Sequence, residues 1–243
     1  MNIDEKYAND WNSSGTHFLN NNNYDWMCEN ISDYTTVLEV GSVTGQSTLS
    51  LLKNNHRVIV IEKNKYCIEK TKELILANGF YVCDNISDIT NNTACLLMSD
   101  IILDTLNIFN VEFDIVVCWN IGTAWDRDSI LTYINPMEEY GLTIKQIKEN
   151  IESSYAELIV WKACNIAKAH KSAISIIERG TRIVDDKNDG YYMELKNECD
   201  FNEIAYRNVS TTTLSQTGRT LSVDGIPINE NEIKIFLNSI LLT

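Results

Sequence analysis

The sequence predicts an α/β fold: a doubly wound, mostly parallel sheet of seven strands with a C-terminal antiparallel hairpin. Three observations carry this expectation. The stretch Thr36-Val37-Leu38-Glu39-Val40-Gly41-Ser42-Val43-Thr44-Gly45-Gln46-Ser47 is a buried-strand run that stops at a glycine, turns sharply and restarts as a helix. Apolar runs of strand length alternate with helix-length segments, the pattern of right-handed βαβ units. Hydrophobic residues make up 44% of the 243 positions, enough for one large core with a cap or insertion.

The elements follow in order. Residues 1–35 form an N-terminal cap carrying Tyr7, Trp11, His17, Phe18, Tyr24, Trp26 and Met27. An Asn20-Asn21-Asn22-Asn23 run breaks it into two short helices, because Asn resists helix interiors. The segment from Trp11 to Phe18 either folds over a ligand or packs its aromatics on the sheet. After the first strand, a helix at 45–54 places Leu49 and Leu52 on one face. Val58-Ile59-Val60-Ile61 is short, continuous and β-branched, as a parallel strand buried on both faces should be. It ends in Glu62. Asn64 caps the next helix, whose inner stripe is Cys67, Ile68, Thr71 and Ile75, and Gly79 follows as its C′ residue. Tyr81-Val82-Cys83 and Cys95-Leu96-Leu97-Met98 both read as strands, and the second is preferred as the third strand of the sheet. Residues 113–119 are the fourth.

A long connection, 120–142, then reads as a lid or insertion, with Trp125, Tyr133, Met137 and Tyr140 beside acidic Asp126, Asp128, Glu138 and Glu139. Thr143 with Gln146 has the spacing of a capping box, and the helix beyond it presents Tyr155, Leu158, Ile159, Ala163, Ile166 and Ala167. Residues 173–177 form a fifth strand, 191–197 a short helix and 201–206 a further strand. The segments 211–214 and 220–223 flank a Gly-containing loop and read as antiparallel neighbours. Residues 225–243 read as an amphipathic helix, from Ile233, Phe236, Leu237, Ile240 and Leu241 with Asn229 and Glu232 as cap pair. That helix covers the sheet edge or forms the face of a homodimer. The whole chain, 1–243, is expected to be a single domain.

Composition narrows the function. The formal net charge is −14, and no Lys/Arg cluster is visible, which argues against a phosphate backbone as partner. The seven cysteines are odd in number, widely spread and without a C-x-x-C pair, so no metal site is expected and reduced core cysteines are. No apolar run reaches the ~20 residues that span a bilayer, and the N-terminus lacks signal-peptide character. A soluble, cytoplasmic protein without a membrane partner is the expectation.

The glycine turn decides the ligand. A P-loop needs G-x-x-x-x-G-K-[ST]; here the second glycine comes one residue early and the lysine is absent. A dinucleotide fingerprint needs G-x-G-x-x-G; its next glycines would fall on Val43 and Gln46. The turn resembles the acidic-x-Gly-x-Gly-x-Gly motif of class I, Rossmann-like, S-adenosylmethionine-dependent methyltransferases: Glu39, Gly41 and Gly45 match and Val43 departs at the middle glycine. The resemblance runs from Thr36 to Trp119, more loosely to Val223. It implies a Rossmann-like fold, S-adenosylmethionine as cofactor and S-adenosylhomocysteine as product.

It also implies a set of cofactor contacts. Gly41, Ser42 and Gly45 would lie against the methionine portion, with the helix N-terminus offering N–H groups to its carboxylate. Glu39 would fix the turn or meet the ammonium. Glu62, 21 residues beyond Gly41, stands at about the ~20-residue interval at which an acid accepts from the ribose hydroxyls, with Lys63 beside it. Asp100 would receive the adenine amino group, with Asp84 as the rival, and Ile101 would flank the ring. Trp119 would wall the site.

For catalysis, Asn120 would hydrogen-bond the acceptor and His17 is the candidate base. Base-amino methyltransferases place Asn/Asp-Pro-Pro-aromatic after the fourth strand; this chain reads Trp119-Asn120-Ile121-Gly122 there. The implied reaction is N- or O-methylation of a small-molecule acceptor, with the acidic lid suiting an amine. The alternatives are a methyltransferase of tRNA, rRNA or protein, or a non-catalytic binding module of the same fold.

Overall fold

The computed structural model describes residues 2–104, 111–119, 131–214, 221–223, 226–228 and 232–243. Ten strands are described: β1 Thr36–Val40, β2 Arg57–Glu62, β3 Tyr81–Cys83, β4 Thr93–Met98, β5 Ile115–Trp119, β6 Ala173–Gly180, β7 Ile204–Leu214, β8 Leu221–Val223, β9 Ile226–Ile228 and β10 Glu232–Leu242. The described helices are α1 Ile3–Asn20, α2 Asn23–Glu29, α3 Gln46–Lys53, α4 Lys65–Ala77, α5 Ile134–Tyr140, α6 Ile144–Glu149, α7 Ile151–His170 and α8 Tyr191–Glu198. Eight strands make the main sheet, in the order β3-β4-β2-β1-β5-β6-β10-β7, and β8 pairs with β9 in a separate two-stranded sheet.

Why the inner strands read as unbroken apolar runs is plain from their two faces. Successive side chains of a strand point to opposite sides. Leu38, Ile59, Ile61, Val116 and Cys118 pack on one side with Leu158, Ile159 and Ala163 of α7. Val37, Val58, Val60, Ile115, Val117 and Trp119 pack on the other with Leu49 and Leu52 of α3 and Ile75 of α4. Both sides are covered, so no polar face remains to produce an alternating pattern. The pairs β1–β2, β1–β5, β2–β4, β3–β4 and β5–β6 are all parallel. β1 thus lies where the strand order reverses, the position at which open α/β sheets bind ligands beyond their carboxyl ends.

Several local expectations match the structure. Asn64 caps α4 by accepting from Tyr66 N–H and Cys67 N–H, and Thr143 and Gln146 form a reciprocal capping box on α6. Two helices flank the Asn run, with Asn22 left-handed between them. Part of the 120–142 connection, 131–140, is a short 3-10 turn continuing into α5, with Tyr133 and Met137 buried; residues 120–130 lie outside the described residues.

Three expectations are corrected. The sheet has eight strands rather than seven, because Tyr81–Cys83 and Thr93–Met98 are both strands and pair with each other. The expected hairpin partner of 211–214 is not 220–223: β7 pairs with β10, and β8 turns back on β9. The expected amphipathic helix over 225–243 is instead β10, inserted antiparallel between β6 and β7. Its apolar residues are dense enough to satisfy a helical period by chance. In the sheet Ile235 and Leu237 face one core and Ile240 and Leu242 the other. Asn238 of β10 and its register partner Asn208 of β7 fix the alignment. The Asn238 Nδ2 donates to Arg182 O (3.1 Å) and the Asn208 Nδ2 to Val184 O (3.0 Å).

Candidate active site

The turn after β1 takes left-handed dihedrals at Gly41 (φ 75°), Val43 (φ 52°) and Gly45 (φ 87°). Val43 therefore adopts the conformation for which the middle glycine of the motif is suited, although a β-branched side chain resists it. Neighbours hold it there. The Glu62 Oε2 accepts from Val43 N–H (3.1 Å), and the Thr71 Oγ1 donates to Val43 O (3.4 Å). Gly45 has no room for a side chain: a Cβ there would come within 2.8 Å of the Thr71 Cα.

Beneath the turn, Glu39 is buried on the α3 side. Its Oε1 accepts from the Ser47 hydroxyl and its Oε2 from Thr48 Oγ1 (2.6 Å). It ties the strand end to the first turn of α3. Burial raises its pKa to about 7, and the two hydroxyl donors act in the opposite sense. An acid whose folded pKa is raised stabilises the fold most when protonated. Its contribution is complete below the ordinary value of 4.5 and lost as pH rises through about 7. We expect the urea midpoint of the wild type to fall more steeply between about pH 5 and pH 8 than that of Glu39→Gln. Parallel slopes would remove Glu39 as the source.

An open cleft of about 540 Å³ lies beside the turn, lined by Tyr7, Gly41, Val43, Glu62, Lys63 and Asp100 with the apolar Val40, Ile61, Ile101 and Ile159. Glu62 is 8% exposed. Its Oε1 accepts from Asn64 N–H (2.9 Å) while Oε2 accepts from Val43 N–H, so backbone amides fix the carboxylate at the cleft wall. Burial raises its pKa to about 7, against the lowering by those two amides and Lys63.

Lys63 reaches across the cleft. Its Nζ donates to Tyr133 Oη (2.9 Å) and Tyr155 Oη (2.6 Å), lies 4.7 Å from both ring centroids, and stands 3.8 Å from Asp100. The Tyr133 hydroxyl donates to the Asp100 Oδ2. Burial lowers the Lys63 pKa and Asp100 raises it. The other Asp100 oxygen caps the next turn through Ile102 N–H (2.8 Å) and Leu103 N–H (3.1 Å).

Helix α1 roofs the turn. The Gln46 Nε2 donates to Asn12 Oδ1 (3.0 Å) and the Asn64 Nδ2 to Asp4 O (3.1 Å). Gly15 permits this closeness, since a Cβ at that position would meet Gln46 at 2.6 Å.

Of the residues singled out by sequence, Gly41, Glu62, Lys63, Asp100 and Ile101 line the cleft. Glu39, Ser42 and Gly45 build the turn behind it; the Ser42 Oγ faces Thr71 Oγ1 at 3.4 Å. Trp119 is not brought there: it is buried in the core on the α3 side and donates from Nε1 to Ser175 Oγ (3.0 Å). His17 contacts Thr212 Oγ1 at 2.9 Å through Nε2. Asp84 does not line the cleft, and Asn120 lies outside the described residues. The cleft residues Tyr7, Tyr155 and Ile159 were not singled out as ligand contacts. No short-range spacing links Lys63 to partners 70 and 92 residues away.

Among the described residues, no group of three or more His, Cys, Asp or Glu could hold a metal ion, and no helix is long and apolar enough to cross a membrane.

No family model and no curated protein sequence matches the chain. Solved structures do. PH1948 of Pyrococcus horikoshii, provisionally named an RNA methyltransferase, superposes with a TM-score of 0.50 at 11% identity, covering 91% of this chain and 82% of that one. EvdMO1 gives 0.48 at 12% identity, over 91% of this chain and 40% of that one. The magnesium protoporphyrin IX methyltransferase ChlM of Synechocystis PCC 6803, solved with S-adenosylmethionine bound, gives 0.44 at 11% identity, over 93% and 79%. The chain spans less than half the length of EvdMO1. The likeness to PH1948 supports the fold alone: a Rossmann-like, mostly parallel α/β sheet.

Proposed function

We propose that the protein is an S-adenosylmethionine-dependent methyltransferase acting on nitrogen or oxygen of a small molecule. The observation that carries this reading is Glu62. It ends β2 beside the left-handed turn, its two oxygens are anchored by Val43 N–H and Asn64 N–H, and the carboxylate lines the cleft, where it would accept from the hydroxyls of a ribose. The other parts of an adenosyl site fit around it. Val40, Ile61, Ile101 and Ile159 offer an apolar slot. The left-handed turn brings the backbone of Gly41 and Val43 to the cleft wall, where the methionine portion would lie. Asp100 lines the same cleft, and its Oδ2, which accepts from the Tyr133 hydroxyl, would accept instead from the adenine amino group.

Bound S-adenosylmethionine would supply an electrophilic methyl group. What the chain contributes is position. The turn and Glu62 hold the cofactor, and α1, strapped to Gln46 and Asn64, closes the edge of the sheet over it. A small acceptor suits that roofed edge and the net charge of −14.

Calorimetry with S-adenosylhomocysteine tests the cofactor assignment. We expect a dissociation constant below ~100 μM; absence of binding at ~1 mM would sink it. A screen of small nucleophiles for S-adenosylhomocysteine release tests the acceptor, and activity confined to RNA or protein would overturn that half.

A further inference from the structure

Arg179 stands near the C-terminal end of β6, next to β5 in the sheet. Its guanidinium carbon lies 5.1 Å from the ring centroid of Trp11 and 5.8 Å from that of Phe18, both on α1. Trp11 in turn lies 6.0 Å from Tyr7, which lines the cleft beside Glu62. A row of aromatic rings on one helix therefore leads from the proposed cofactor site to a cation on the neighbouring strand.

Stacking occupies the face of a guanidinium and leaves its edge, which carries five N–H donors in a fork matched to a carboxylate. Among the described residues no carboxylate takes that edge: the ion pairs join Lys63 to Asp100, Lys145 to Glu149 and Lys168 to Asp200. The chain carries 34 acidic against 20 Lys and Arg residues, so partners for an arginine are abundant, yet this one faces aromatic rings; the residue keeps exposed surface, although burial around the guanidinium lowers its pKa. Holding α1 on the sheet needs only the charge over the rings and would give the N–H donors no ligand. The acidic residues expected to favour an amine do not oppose this. Glu138 and Glu139 are exposed on α5 and do not line the cleft, while Asp126 and Asp128 lie outside the described residues.

We propose that Arg179 anchors a carboxylate of the methyl acceptor, and that the acceptor is a planar organic acid whose ring packs along Tyr7 and Trp11. This rests on the methyltransferase reading above. A carboxylate could also come from the methionine portion of the cofactor, and the test separates the two sources.

The full chain, saturated with S-adenosylhomocysteine, is titrated calorimetrically with benzoate, 4-hydroxybenzoate and indole-3-acetate, each beside its carboxamide. We expect at least one acid to bind roughly tenfold more tightly than its amide, a preference that shrinks to about twofold or less in Arg179→Gln while S-adenosylhomocysteine affinity stays within about twofold. Arg179→Lys keeps the charge without the fork, and should keep only part of the preference; this variant carries the test if Arg179→Gln does not fold. Three results would overturn the proposal: no acid preferred over its amide, a preference unchanged in the variants, or a roughly tenfold loss of S-adenosylhomocysteine affinity, which would give Arg179 to the cofactor. Wild-type protein that binds no S-adenosylhomocysteine at all would instead remove the parent reading, and does so before any acid is added.

Discussion

Glu62→Ala is expected to weaken S-adenosylhomocysteine binding by more than about tenfold, or ~1.4 kcal/mol. Two losses combine. The ribose hydroxyls lose a charged acceptor, and hydrogen bonds to charged groups contribute about 1.5–3 kcal/mol. Val43 N–H and Asn64 N–H lose their acceptor as well, which loosens the turn that faces the ligand. The pH dependence has a defined sign. The carboxyl has a pKa of about 7 in the free protein. Its ionised form is the better acceptor of two hydroxyls, so affinity rises as pH rises through about 7. Isothermal titrations near pH 6 and pH 8 should give tighter binding at the higher pH for the wild type and no such change for Glu62→Ala. An affinity within about twofold of wild type in the variant would place the ribose elsewhere.

The second large effect is on stability. Gly45→Ala should lower the unfolding free energy by about 2–4 kcal/mol, the sum of a left-handed alanine and an overpacked contact. The contact is with backbone, because the added Cβ would lie 2.8 Å from the Thr71 Cα, and neither the turn nor α4 has a flexible end to move aside. Gly79 supplies the control. Its φ of 82° is close to the 87° of Gly45, but nothing lies within 4 Å of its would-be Cβ. Gly79→Ala should therefore cost only about 1 kcal/mol, the conformational part alone. Urea unfolding measures both. Equal losses at the two sites would show that the turn relaxes and that Thr71 does not confine it.

How much of this was legible in the sequence depended on distance along the chain. The turn could be read because its parts are contiguous: an acid, two glycines and a helix start within ten residues of one another. Glu62 could be read because strand–helix–strand units have a nearly fixed length. The grip of Lys63 on Tyr133, Tyr155 and Asp100 could not, since three separate elements bring those groups together and none carries a spacing signal. Gly15 was equally silent; a glycine inside a polar helix declares nothing until Gln46 is seen against it. β10 was misread for a different reason. Periodicity distinguishes helix from strand only when one face is polar, and a strand entering a sheet covered on both sides has no polar face. Trp119 was expected at the cleft because it ends a strand there. Side-chain parity instead turns it toward α3, and the hydroxyl of Ser175 meets its indole N–H.

The position of β10 bears on how the chain is made. It is synthesised after both of its neighbours, yet its place is between them. Until β10 is in place, β6 presents an open edge and β7, whose strand pairing among the described residues is with β10 alone, has nothing to join. A chain in which β10 has not docked thus leaves β6 open on one side and β7 without a strand partner among the described residues. Unpaired edges recruit other chains, so docking of the last-made strand is the step that closes this gap in the sheet against aggregation.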